Sequence, residues 1–262
     1  MARIKLGISL RSLPWPLRRS MQEAHRIQAQ GIELAAQADL APQNLSQTGR
    51  REIRHLLKSF DLELAAIFCP LRRGLDVLEN QQPRVEFVKQ VMTLAFDLGP
   101  RLVIIQPGRI PQKEDEPHGP LMRDALDSLG RHGDRIGTRL ALDTGAEAGA
   151  AMAAFLDRFH CGSLAANYNP ANLLISGHDP YDAGRALAGR IAHAHAEDAR
   201  SVNPNRLQHV PLGHGDMDWV NLLATLEQIE YRGYLTVTGG DLTELSAGAQ
   251  FLRRVMGPTP SH

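Results

Sequence analysis

Short apolar runs rich in aliphatic and β-branched residues alternate along the chain with longer segments whose apolar positions recur every three or four residues. Runs of the first kind suit strands buried on both faces, and segments of the second kind suit amphipathic helices. Eight runs predict strands: Ile4 to Ser9, Gly31 to Ala35, Leu62 to Cys69, Leu102 to Gln106, Arg139 to Thr144, Leu164 to Asn169, Ile191 to Ala196 and Tyr234 to Thr238. Between them, Leu17 to Gln30, Thr48 to Phe60, Pro83 to Leu98 and Trp219 to Ile229 carry the helical period. The alternation runs to the end without a linker or low-complexity stretch, so residues 1–262 are expected to form one domain. Strand then helix, eight times, predicts an α/β protein, a single (β/α)8 TIM barrel. An open doubly wound sheet shares that alternation, but the Gly-x-Gly-x-x-Gly turn that would favour it is missing after Gly7. The segment Gly145 to Gly149 also lacks that spacing and reads as the start of an Ala-rich helix.

Composition removes partners more than it chooses a fold. Lys plus Arg total 29 and Asp plus Glu total 29, so no global field exists to hold a polyanion, and nucleic acid is not an expected partner. No run of about 18 apolar residues is present, which argues against a membrane partner, and the first residues enter a strand pattern almost at once; a cytoplasmic protein is expected. The two cysteines, Cys69 and Cys161, lack any metal-site spacing and read as free thiols.

In a barrel of this kind, reactive side chains come from the carboxyl ends of the strands, which converge on one mouth. Asp143 stands at the end of the fifth strand, as a mouth carboxylate or as the cap of the next helix. Asn167 and Asn169 share a face of the sixth strand. Asn169 reads either as a pocket amide or as part of an Asn-Pro turn in which Asn172 caps a short helix. On the seventh strand, His193 and His195 share a face at a spacing that suits a metal, or that simply places hydrogen-bonded histidines inside the barrel. A long loop from Arg200 to Met217 carries Arg200, Arg206, His209 and His214; its arginines read as sugar-orienting groups or as solvated charge. The eighth strand offers only Thr238 at the mouth, while Asp218 and Asp241 read as helix caps. The insert from Gln112 to His118 reads as a solvated loop or a pocket lid.

Taken in order, Gly31-Ile-Glu33-Leu34, Leu140 to Gly145, Asn167 to Leu173, Gly177 to Pro180, His193 to Asp198, Pro211 to Gly215 and Gly233 to Val237 resemble the xylose isomerase-like barrel superfamily, specifically its sugar phosphate isomerase/epimerase branch. The resemblance covers nearly the whole chain. It implies a divalent metal (Mn, Mg, Co or Zn) held by Glu, Asp, His and Glu from strands five to eight, and two glutamates that move a proton beside a carbonyl through an enediolate. In this sequence Asp143, Asn169, His195 and Thr238 stand at those positions. The ligand set is thereby reduced from three carboxylates to one, which weakens the hold on a hard cation. The resemblance implies Asp143 and His195 as catalytic groups, with Asp143, Asn169 and His195 as the remaining metal ligands. Glu33, Asn167, His178, Arg200 and Arg206 are then contacts for a small sugar or polyol, and Glu33, His178 or Asp241 could replace the lost acid. Three functions compete: a sugar or sugar phosphate isomerase or epimerase with a depleted metal site, a non-catalytic sugar-binding relative, or unrelated chemistry such as that of the metal-dependent nucleases that share this barrel, which the neutral charge does not favour. A homodimer is the base-rate expectation for such barrels.

Overall fold

The computed structural model describes residues 4–111, 116–203 and 206–257. Eight parallel strands close into a barrel: β1 (Lys5–Ser9), β2 (Gly31–Ala35), β3 (Glu63–Phe68), β4 (Leu102–Ile105), β5 (Arg139–Asp143), β6 (Leu164–Tyr168), β7 (Ile191–Ala196) and β10 (Tyr234–Val237). β10 pairs with both β1 and β7, so the ring has no free edge and the open-sheet alternative is excluded. Around it lie α1 (Leu17–Arg26), α2 (Gln47–Ser59), α3 (Gln81–Leu98), α4 (Gly119–Ile136), α5 (Gly149–Leu156), α6 (Pro170–Ile175), α7 (Pro180–Ala186), α8 (Trp219–Gln228) and α9 (Leu242–Met256). The first helix stops four residues earlier than its apolar pattern suggests. Gln28 takes a φ of 60° and breaks it, and the Gln30 side chain accepts from the Leu6 amide instead.

Side-chain alternation along the strands sorts the core into two parts. On β4, Val103 and Ile105 face outward into the main cluster, where they meet helix residues such as Val88 and Met92. Leu102 and Ile104 face inward and join Ala66 and Ala141 as a small apolar plug. Each fully buried Leu, Ile or Met contributes roughly 1.5–3 kcal/mol, so the outer layer carries most of the stability. The rest of the interior is polar. Two register shifts, between Ile32 and Glu33 and between Ala166 and Asn167, fall beside residues that face this polar part. Such irregularities re-aim a side chain without ending the strand.

The expected loop from Arg200 to Met217 is instead largely a hairpin, β8 (Asp198–Asn203) paired antiparallel with β9 (Arg206–Val210). Most of its residues are exposed, so it lacks the one-sided apolar alternation that would have revealed it. The caps also differ in one place: Asn169, not Asn172, caps α6 by accepting the Asn172 amide at 3.2 Å. Asp218 and Asp241 cap α8 and α9 as the sequence predicts. The question of lid or loop for Gln112 to His118 falls mainly on residues 112–115, which lie outside the described residues.

Buried Asp198 anchors the return from the hairpin. It accepts from the amides of Ala199, Gly213 and Gly215 at 2.9, 3.0 and 3.1 Å and from the Trp219 indole at 3.2 Å. Asp198→Ala strands those donors, and the expected cost is about 2–4 kcal/mol in urea unfolding. A loss below about 1 kcal/mol would show that water replaces the carboxylate at no great penalty.

Candidate functional site at the barrel mouth

The carboxyl ends of β5, β6 and β7 bring Asp143, Asn169 and His195 to one cleft of about 440 Å³. Arg11, Gln106, Asn172, Glu197, His209 and Thr238 also face it. The polar side chains form a continuous chain through the barrel interior. Ser9 Oγ donates to Glu33 Oε1 at 2.6 Å, and His195 Nε2 lies 2.7 Å from Glu33 Oε2. His195 Nδ1 lies 3.0 Å from Asn167 Nδ2, which also donates to Asp143 Oδ1 at 2.6 Å. Asn167 Oδ1 lies 2.8 Å from His193 Nδ1, and His193 Nε2 lies 2.8 Å from the Thr236 hydroxyl. With this amide orientation, His193 donates through Nδ1 and accepts the Thr236 hydroxyl. Neutral His195 then carries its proton on Nε2, toward Glu33.

Two glycines make this packing feasible. A Cβ on Gly7 would sit 2.4 Å from the Thr236 hydroxyl, so the bare backbone of β1 lets Thr236 reach His193. Gly145, at φ 146°, turns the chain where a Cβ would strike Asn172, whose amide donates to Asp143 Oδ2 at 3.3 Å.

Above this layer, Glu197 is the hub of the mouth. Its carboxylate accepts from Thr238 Oγ1 at 2.7 Å and from Asn169 Nδ2 at 3.1 Å. Arg11 pairs with it at 3.3 Å and His209 at 3.5 Å. Arg11 stacks on the Phe68 ring at 5.0 Å, which fixes the guanidinium over the cleft.

The shared environment pulls proton affinities apart. Burial lifts Asp143 to about pKa 6; the nearby Glu197 charge adds to this, while the His195 charge, the Asn167 hydrogen bond and Arg11 hold it back. Burial works on Glu33 in the same sense but is overcome by the charge and hydrogen bond of His195, with Arg11 and His193 adding to the pull, and its pKa falls to about 2. Glu197 is likewise lowered: burial opposes ionisation, and His195, Thr238, Asn169 and Arg11 outweigh it. For His195, burial favours the neutral ring, but Glu33, Asp143 and Glu197 together raise its affinity for a second proton. Taking up that proton requires Asn167 to turn its carbonyl toward Nδ1. Burial and the neighbouring His195 push His193 down to about pKa 3, so it stays neutral.

The residues singled out in the sequence divide into three groups. Asp143, Asn169, His195 and Thr238 line the cleft. Glu33 and Asn167 lie beneath it, buried and bonded to His195. The others sit elsewhere: Arg200 and Arg206 are exposed on the hairpin, and His178 turns toward the Ala146 carbonyl at 3.4 Å. Asp241 spends its carboxylate on the α9 cap. Sequence reasoning missed Glu197 and Arg11 as cleft residues. The signal was parity, since Glu197 continues the every-second-residue series of His193 and His195, and Arg11 continues that of Gly7 and Ser9.

A closed parallel barrel with a polar cleft at the carboxyl ends of its strands defines a TIM-barrel protein. A family model described as xylose isomerase-like TIM barrel matches residues 21–255, and the chain belongs to that family. Solved structures similar to it share its fold at low identity. A xylose isomerase domain protein from Planctomyces limnophilus superimposes with a TM-score of 0.84 at 22% identity, covering 97% of this chain and 95% of its own. An L-ribulose 3-epimerase gives 0.79 at 16% identity, covering 97% and 94%. The probable 3-DHS dehydratase AsbF of Bacillus anthracis gives 0.76 at 19% identity, covering 95% and 98%. No curated protein matches in sequence. No helix among the described residues is long and apolar enough to cross a membrane.

Family membership raises the question of a metal, and the side chains answer it by where their lone pairs point. At the four expected positions, Asn169 and Thr238 aim donors at Glu197, and Asn169 Oδ1 is turned away to cap α6. Both His195 nitrogens and both Asp143 oxygens have protein partners. One trio among the described residues, Glu33, His193 and His195, brings ligand atoms within 4.8 Å of one another. Within it His193 is bonded at both nitrogens, and His195 and Glu33 are in direct hydrogen-bond contact at 2.7 Å. This arrangement does not fit the family's metal.

The pH dependence of stability tests the buried neutral histidine. The unfolded state takes up a proton near pH 6.5 that folded His193 refuses down to about 3, so its presence makes stability fall as pH drops through that window. Relative to His193→Gln, the wild type is expected to lose about 1.4 kcal/mol per pH unit between pH 6 and 4 in urea titrations. Any fixed cost of the substitution cancels in that slope; equal slopes would show that His193 is already charged in the fold.

Proposed function

We propose that the protein is a sugar isomerase or epimerase that moves a proton on the carbon beside a carbonyl of a small ketose or related polyol. The observation that carries this reading is the convergence of two carboxylates of opposite tendency on one cleft, Asp143 with its pKa lifted to about 6 and Glu197 held ionised. Paired groups whose affinities are pushed apart are suited to acid–base work near neutral pH. Asp143 takes the proton from carbon, the C–H electron pair moves into the carbonyl, and an enediolate results. Protonated Asp143 returns the proton to the neighbouring carbon in an isomerase, the substrate hydroxyl proton passing to the enediolate oxygen; in an epimerase a solvent proton enters on the other face and Asp143 releases its own to solvent. His195, hydrogen-bonded to Glu33, gains proton affinity from the surrounding carboxylates and stabilises the negative oxygen electrostatically. Asn169, Asn172 and Gln106 offer amides to substrate hydroxyls.

The substrate in this reading carries no phosphate. Arg200 and Arg206 stand outside the cleft, which leaves Arg11 as the one arginine in its wall among the described residues, and its charge is largely balanced by Glu197. The similarity to an L-ribulose 3-epimerase supports the reaction class at the level of fold.

Exchange of the carbon-bound hydrogen of ketoses in deuterium oxide, followed by NMR, tests the reaction without foreknowledge of the product. Exchange should rise through about pH 6 as Asp143 ionises, and Asp143→Asn and His195→Ala should each reduce it by about 100- to 10,000-fold with the fold intact. Unchanged exchange in either variant would remove the proposed roles. Binding of ketoses with no exchange in the wild type would leave a sugar-binding relative that has lost its chemistry.

A further inference from the structure

We infer that this barrel has exchanged the divalent cation of its family for a fixed organic one, and that Arg11 supplies the positive charge at the mouth, held over the cleft by Glu197 and Phe68. The inference rests on reading the cleft as the substrate site, but its test needs no turnover.

Three features of the structure carry it. The first is the direction of the donors. A cation needs lone pairs converging on one point, whereas Asn169 and Thr238 present hydrogens at 3.1 and 2.7 Å to the two oxygens of Glu197. The carboxylate they hold is therefore served as an anion within a protein network. The second is charge. Glu33 and Asp143 lie 2.7 and 4.0 Å from His195, and Glu197 pairs with Arg11 at 3.3 Å and with His209 at 3.5 Å. A cluster with three buried or half-buried acids requires compensating positive charge. Here His195 lies against Glu33 and Asp143, and an arginine from the segment after β1 serves Glu197 at the mouth, where the family uses a metal from strands five to eight. The third is placement. Arg11 is 30% exposed, lines the cleft, pairs with Glu197 through one nitrogen at 3.3 Å and has its guanidinium carbon 5.0 Å from the centre of the Phe68 ring. A guanidinium has five N–H donors in a planar fork, so one bond to Glu197 leaves capacity for a substrate oxygen.

The exchange has an electrostatic consequence that can be measured. A fixed positive charge a few ångströms from Glu197 repels a divalent cation, and removing it should open the carboxylates to one. Manganese is titrated calorimetrically into the chelator-treated wild type and into Arg11→Gln and Arg11→Lys. The wild type and Arg11→Lys are expected to show no saturable binding up to about 1 mM. Arg11→Gln is expected to gain a single site of about 100 µM or tighter, at least a tenfold change. Stoichiometric micromolar binding by the wild type that disappears in His195→Ala would overturn the inference. So would an Arg11→Gln titration indistinguishable from that of Arg11→Lys. Because every readout is metal binding, failure of ketoses to exchange would count against the proposed reaction and leave this result standing.

Discussion

A polar group placed inside a closed barrel cannot reach water, so each one must find its partner among the inward residues of neighbouring strands. In this protein that requirement is met by one chain of hydrogen bonds running from Ser9 through Glu33, His195, Asn167 and His193 to Thr236. Asn167 sits at its centre because an amide both donates and accepts. It donates to Asp143 and His195 and accepts from His193, which lets two imidazoles and a carboxylate share one buried space. The register shift beside Asn167 and the absence of a side chain on Gly7 are backbone accommodations to that chain. A missing member lowers stability, because it leaves an uncompensated buried group at a cost larger than the net worth of the bond itself.

The network also explains the division of roles between the two histidines. They differ by two residues on one strand, and their rings meet edge to face at 5.1 Å. His193 has only neutral partners, and burial keeps it neutral. His195 contacts Glu33 and lies 4.0 Å from Asp143, so carboxylates raise its proton affinity against the same burial. The two histidines that share a face in sequence thus differ in the fold, one among neutral partners and one among carboxylates. Position relative to the carboxylates makes the difference, since residue type and burial are the same.

Much of this was legible from the chain itself. The eight strands were visible because parallel barrel strands are apolar on their outer face and carry small or polar residues inside. The mouth positions Asp143, Asn169, His195 and Thr238 followed from where those runs end. The hairpin was not legible, because a ribbon exposed on both sides leaves no one-sided pattern. The capping roles of Asn169 and Asn172 were exchanged for a subtler reason: both are good caps, and only the backbone turn at Pro170 decides which side chain faces the free amides. Glu197 and Arg11 lie just beyond strand ends, where the alternation that would assign them to the interior is not expected to persist. Parity gives the side they face, but their pairing joins segments 186 residues apart, which no local pattern encodes.

The substitutions at the mouth make more sense together than singly. Asn169 or Thr238 alone, facing a bound cation, would each weaken its coordination. Facing Glu197, the same residues are good partners, because an ionised carboxylate with several acceptor positions is best satisfied by neutral donors and one cation. Restoring a carboxylate at either place would set it against Glu197 in a cleft that already holds Asp143, and like charges at that range are costly in a water-poor site. Asn169, Thr238, Glu197 and Arg11 therefore form a coupled set whose members are mutually stabilising and individually incompatible with the charge pattern of a metal centre. In the reading inferred above, Arg11 and Glu197 carry the electrostatic balance of the mouth, and their charges, their burial and their contact at 3.3 Å suit them to it.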